Sequence, residues 1–166
     1  MVDGVRMELQ TLILKISLEK RRRMMGKHLI RINDLEKQEI EGLLKRARFF
    51  QKYSEQQPLD SGKFQHRFVA NLFLEPSTRT RFSFEVAEKR LGVQVLNLQF
   101  SMSSLQKGET LYDTLKTLES QGVEAVVIRL TEEGILQPLS EKLSLKIINA
   151  GEGKREHPTQ ALLDLY

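Results

Sequence analysis

Residues 71–92 read NLFLEPSTRTRFSFEVAEKRLG, and this stretch decides how the rest of the chain is read. It begins inside RFVANLFL (67–74), a continuous apolar run of strand length. Five positions, Ser77 to Arg81, then hold three hydroxyls and two arginines. From about Thr78 to Leu91 the pattern is that of an amphipathic helix, with Gly92 as its stop. The donors therefore fall where a strand hands over to a helix. There the backbone N–H groups are free and the helix dipole is positive.

Three similar units follow. VQVLNLQF (93–100) reads as a second strand, followed by a serine-rich loop and the helix TLYDTLKTLESQG (110–122). Thr110 and Asp113 give that helix a start signal, and Leu111, Leu115 and Leu118 share one face. EAVVIRL (124–130) is a third strand, and EGILQPLSEKL (133–143) supplies a shorter helix that Pro138 should disturb. KIINAG (146–151) is a fourth strand, and HPTQALLDLY opens another helix at Pro158. Upstream, Asn33 or Asp34 can cap a helix carrying Ile40, Leu43, Leu44, Ala47 and Phe50, and SEQQPLDSGKFQ (54–65) is a loop. Strands and helices in alternation, with continuously apolar strands, predict an α/β fold: a parallel sheet of about four strands with helices on both faces.

In such sheets ligands bind beyond the carboxyl ends of the strands. The polar clusters Ser77–Arg81, Ser104–Lys107, Arg129 and His157–Gln160 all fall at that rim. A helix N-terminus with the hydroxyls of Ser77, Thr78 and Thr80 and the guanidinium of Arg79 can cradle a doubly charged oxyanion such as phosphate. The same pentapeptide can equally be a plain helix cap with two solvated arginines. Lys107 by itself reads as a solvated loop lysine. Arg129 ends a buried strand, where an arginine needs an anion or carboxylate beside it. His157 can be a cap, or can donate to a carbonyl oxygen, and Gln160 offers both a donor and an acceptor to an amide-like group. Glu75 can orient arginines without touching a ligand. Neither GxxxxGK[ST] nor GxGxxG occurs, so a mononucleotide is not the natural guest.

Composition narrows the remaining classes. The 166 residues contain no cysteine, which removes disulfides and thiolate–metal sites and fits a reducing, cytoplasmic setting. No run is long and apolar enough to span a bilayer. The net charge is +4, but residues 1–25 carry +3 of it, so the body is nearly neutral and nucleic-acid binding is disfavoured. Residues 1–25 read as a leader, disordered or spurious, with the functional protein beginning at Met24 or Met25 and one domain over 26–166.

Four motifs carry a family resemblance, in order: FLEPSTRTRFSFEVAEKRLG (73–92), SLQKGETLYDTL (104–115), VVIRL (126–130) and NAGEGKREHPTQALLDLY (149–166). Together they resemble the carbamoyl-phosphate domain of aspartate carbamoyltransferases over about residues 27–166. STRTR and HPTQ also occur in ornithine carbamoyltransferases; the KGET lysine and the NAG favour aspartate as the second substrate. The resemblance implies transfer of a carbamoyl group from carbamoyl phosphate to L-aspartate, in pyrimidine synthesis, with no cofactor and no metal. It implies that Ser77, Thr78, Arg79 and Thr80 hold the phosphate and that Arg79 stabilises it as it leaves. Thr80, Arg129 and His157 would polarise the carbamoyl oxygen, and Gln160 would bind the carbamoyl nitrogen. Lys107, with Ser104, would reach into a neighbouring subunit's site, which implies a homotrimer; no regulatory chain is specified.

The sequence departs from the family pattern in three places. Leu130 follows Arg129 where the family often has histidine, and the serine loop before Lys107 differs in length from some members. The chain also ends at Tyr166 in an apolar helix, without the family's aspartate-binding domain. Two alternatives stand beside the leading expectation: a non-catalytic carbamoyl-phosphate-binding fragment, and a sister enzyme that uses ornithine or another amine.

Overall fold

In the computed structural model, which describes residues 2–18, 28–54, 62–98, 109–154 and 156–166, four strands form one parallel sheet. They are β1 (Phe68–Phe73), β2 (Gln94–Leu98), β3 (Val123–Leu130) and β4 (Lys146–Glu152), in the spatial order β2-β1-β3-β4. Residue 29 adds an isolated parallel bridge to Ile148, donating to Ile147 O at 2.9 Å and accepting from Asn149 N at 2.9 Å. The helices are α1 (Val2–Leu18), α2 (Lys37–Ser54), α3 (Thr78–Arg90), α4 (Leu111–Ser120), α5 (Leu136–Lys142) and α6 (Pro158–Asp164).

The continuous apolar strands are explained by burial on both faces. Val69 of β1 and Ala125 and Val127 of β3 join one core, together with residues of α1, α2, α3 and α6. Ala70 and Leu72 of β1 and Val126 and Ile128 of β3 point the other way, into a second core with Leu115 and Leu118 of α4 and Leu136 of α5. Each central strand thus needs apolar residues at odd and even positions alike. The expected α/β sheet with helices on both faces is what the chain forms.

The order of strands positions the site. From β1 the chain crosses through α3 to β2 on one side, and then returns past β1, through α4, to β3 on the other. The crevice between the carboxyl ends of β1 and β3 is therefore the point where the winding reverses.

Several local expectations change. Residues Val2–Leu18 are not a disordered leader. They form a helix whose Leu9, Leu12, Ile13, Leu14 and Leu18 are at most 1% exposed. Its C-terminal carbonyl at Leu18 accepts from Arg67 Nη1 at 2.6 Å, and Glu8 pairs with Arg90 of α3 at 2.6 Å. Met24 and Met25 lie outside the described residues. Asn33 and Asp34 belong to a short 3-10 turn, Ile32–Asp34, and α2 begins later, at Lys37. Pro138 does not break α5, because it falls in the first turn, where its missing N–H has no intrahelical partner to lose. Thr110 and Asp113 do form a capping box on α4. Among the described residues, no helix is long and apolar enough to cross a membrane.

Candidate functional site

The strand β1 ends at Phe73, and the next four residues, 74–77, carry the chain to α3. Ser77 is the N-cap of α3, but its side chain makes no capping bond. This contrasts with α4, where Thr110 accepts from Asp113 N at 3.1 Å and so occupies its own helix start. The first-turn donors of α3 receive no such bond from Ser77. They open on a cavity of about 410 Å³ lined by Phe73, Leu74, Glu75, Pro76, Ser77, Thr78, Arg81 and Phe82.

Arg129 stands across the crevice, at the end of β3. Its Nη2 donates to Glu75 Oε1 at 2.9 Å and its Nη1 to Ala150 O at 3.1 Å. Glu75, expected only to orient arginines, therefore does so while also lining the cavity beside Ser77. The guanidinium lies over Gly151, where an added Cβ would sit 2.5 Å from Nη1. The Nε of Arg129 is buried with no hydrogen-bond partner among the described residues.

His157 follows β4 and caps α6. Its Nδ1 accepts from Gln160 N at 3.3 Å and lies 3.2 Å from Thr159 Oγ1. An accepting Nδ1 puts the ring proton of neutral histidine on Nε2, which is then a donor. Burial, followed by the positive charges of Arg129 and Arg6, pushes its pKa down to about 4. At neutral pH the ring is an uncharged donor. Gln160, one turn on, donates from Nε2 to Asp164 Oδ1 at 2.8 Å and accepts at Oε1 from Arg6 Nη2 at 3.2 Å.

Among the sequence-derived candidates, the structure thus brings Arg129, His157 and Gln160 to one rim, joined through Glu75 to the cavity at Ser77 and Thr78. Thr80 is buried, 8% exposed, in the first turn of α3. Arg79 is exposed and, among the described residues, makes no ion pair or hydrogen bond; the arginine on the cavity wall is Arg81. Lys107 and Ser104 lie outside the described residues. Sequence reasoning missed Arg6, which arrives from α1, and Gly151, whose role follows only from the path of the Arg129 side chain.

A second cavity, also about 410 Å³, is lined by Ile30, Arg31, Glu133, Gly134, Gln137, Glu152 and Glu156. Three carboxylates against one guanidinium make it hostile to a phosphate. The Glu152 carboxylate is already committed to the backbone N–H groups of Ile135 and Leu136, at 2.6 and 2.8 Å. Size does not separate the two hollows, but charge does. Of the two, the hollow at the β1–α3 turn is the one whose lining charge suits an oxyanion.

A family model described as the carbamoyl-P binding domain of aspartate/ornithine carbamoyltransferase matches residues 27–166. Aspartate transcarbamoylase from Trypanosoma cruzi, solved in complex with carbamoyl phosphate and aspartate, is similar at 35% identity and a TM-score of 0.74. The match covers 86% of this chain and 44% of that one. The same enzyme with N-(phosphonacetyl)-L-aspartic acid gives 35% identity, a TM-score of 0.73 and coverage of 85% and 45%. The catalytic subunit of the M. jannaschii aspartate transcarbamoylase is similar at 41% identity and a TM-score of 0.76, covering 84% of this chain and 45% of that one. The chain spans less than half the length of these relatives.

Proposed function

The chain belongs to the aspartate/ornithine carbamoyltransferase family, and from that premise we propose that its rim site binds carbamoyl phosphate for transfer to the amine of L-aspartate. The products would be N-carbamoyl-L-aspartate and phosphate, a step of pyrimidine synthesis. One observation carries the reading: Glu75 ties Arg129 to the uncapped start of α3, while a neutral His157 lies within electrostatic reach of the same guanidinium.

The chemistry follows from charge. The amine lone pair attacks the carbamoyl carbon, the bond from that carbon to the phosphate oxygen breaks, and phosphate departs with the electron pair and takes up the proton that the amine nitrogen loses. Negative charge grows on the carbamoyl oxygen and on the leaving phosphate. Thr80, the guanidinium of Arg129 and the Nε2–H of His157 are the donors for the first. Ser77, Thr78, Arg79 and Thr80, with the first-turn N–H groups of α3, are those for the second. Gln160 Oε1 has a second lone pair for the carbamoyl N–H. Positioning and oxyanion stabilisation do the work without a covalent intermediate on the protein. Lys107 and Ser104 would serve a neighbouring site in a homotrimer, in a cytoplasmic enzyme.

Titration calorimetry with carbamoyl phosphate tests the donor site, and product assays with L-aspartate, L-ornithine and other amines on the longer protein test the acceptor. Carbamoyl-aspartate formation is expected; preference for ornithine would establish the sister activity. The 166-residue chain itself should bind carbamoyl phosphate weakly and turn over poorly or not at all. Robust carbamoyl-aspartate formation by it would overturn that expectation. Binding without turnover in the longer protein would leave a non-catalytic binding module.

A further inference from the structure

Arg6 lies outside residues 27–166, the span the family model matches, yet its guanidinium reaches the rim. We propose that Arg6 of α1 is a positioning residue of the carbamoyl-phosphate site, fixing the amide of Gln160 so that its oxygen faces the ligand's N–H donors. The inference rests on the function proposed above for its consequence, but not for its geometry.

The argument begins with the two ends of an amide. Gln160 Oε1 accepts from Arg6 Nη2 at 3.2 Å, and Gln160 Nε2 donates to Asp164 Oδ1 at 2.8 Å. A cation holds one end and an anion the other. Flipping the amide would set its NH2 against a guanidinium and its oxygen against a carboxylate, two repulsive contacts in place of two hydrogen bonds. One orientation is therefore imposed. The carbonyl oxygen has two lone pairs, so Arg6 takes one and leaves one for a ligand.

Arg6 is itself held by packing that does not depend on the site. The buried leucines of α1 seat the helix in the core, and Glu8, two residues on, pairs with Arg90 at 2.6 Å. The Nε of Arg6, like that of Arg129, is buried without a hydrogen-bond partner among the described residues. The charged groups acting on His157 are Arg129 from β3, Arg6 from α1 and Asp164 from its own helix, α6. Arg6 thus acts on Gln160 through a hydrogen bond and on His157 through its charge.

The test uses the 166-residue chain with Arg6→Met, Arg6→Lys and, as a control on the same helix, Glu8→Gln. Side-chain NMR of Gln160 and His157 is recorded without ligand, and carbamoyl phosphate and inorganic phosphate are the binding probes. Arg6→Met should move the Gln160 amide resonances, shift the His157 titration upward from about 4, and weaken carbamoyl phosphate about tenfold while leaving phosphate affinity nearly unchanged. Arg6→Lys, which keeps the charge and a donor, should recover most of all three effects, and Glu8→Gln should produce none of them. Unmoved Gln160 and His157 signals in Arg6→Met would overturn the proposal, as would unchanged or tighter carbamoyl phosphate binding. If the unsubstituted chain binds neither probe, the proposed function fails. The Gln160 and His157 signals then decide the positioning role by themselves.

Discussion

Gly151 has φ +129, and a Cβ added there would meet Arg129 Nη1 at 2.5 Å and Cζ at 3.0 Å. A methyl group would displace the guanidinium from Ala150 O and from Glu75. Backbone strain of about 1–3 kcal/mol adds to that loss. Gly151→Ala should therefore lower the melting temperature and weaken carbamoyl phosphate binding at least tenfold; a variant that melts lower but binds normally would show that the placement of Arg129 does not matter for the ligand. The two arginines of STRTR separate at the same scale. Arg79→Ala is expected to cost far more turnover than Arg81→Ala in the longer protein, because the leaving phosphate is assigned to Arg79. Yet both arginines are exposed, and it is Arg81, not Arg79, that lines the cavity. Equal losses, or the reverse order, would move the assignment to Arg81.

α3 carries the proposed oxyanion cradle at its first turn and a buried carboxyl near its last. Glu88 is fully buried and accepts from Asn71 Nδ2 at 2.7 Å, and burial raises its pKa from 4.5 to about 8. Between those values the folded chain holds a proton that the unfolded chain has released, so this group's contribution to stability is whole below 4.5 and is lost as the pH rises through 8. His157 slopes the other way: its stability contribution is whole above 6.5 and is lost as the pH falls through 4. Glu88→Gln should flatten the alkaline side of the melting-temperature profile and leave the acid side in place. An unchanged decline between pH 5 and 8 would remove Glu88 as its source. The α3 boundaries were legible in the sequence because an apolar strand, a donor cluster and Gly92 punctuate them, and Pro158 marked α6 in the same way. The N-terminus of α2 was not, since Asn33 and Asp34 look like caps but lie in a short turn of their own, where Arg31 N donates to Asp34 Oδ2. α1 was hidden for another reason. Glu8, Gln10, Thr11 and Ser17 are buried along with its leucines, so no polar face alternates with an apolar one. For the candidate site, the rim positions of Arg129 and His157 were legible from chain position, whereas Arg6 is joined to Gln160 across 154 positions that no local pattern spans.

For the molecule as a whole, α1 decides how one side of the sheet is closed. Its leucines share a core with Leu43 and Ala47 of α2, Phe84 and Ala87 of α3, and Leu162 of α6. Each fully buried leucine or isoleucine is worth about 1.5–3 kcal/mol relative to exposure, so removing the helix takes away several such terms and faces the remaining apolar surface with water. Arg67 would lose the Leu18 carbonyl, and Gln160 would lose Arg6. A chain beginning at Met24 or Met25 is the natural comparison, since it lacks α1 entirely. It should melt at a lower temperature, bind a hydrophobic dye and self-associate, and its His157 should titrate higher than in the 166-residue chain. Adding the peptide of residues 1–18 in trans should reverse these changes in part, whereas the same peptide with Leu12 and Ile13 replaced by glutamine should not. An unaltered melt without dye binding would mean that α1 contributes nothing to the closure of this face.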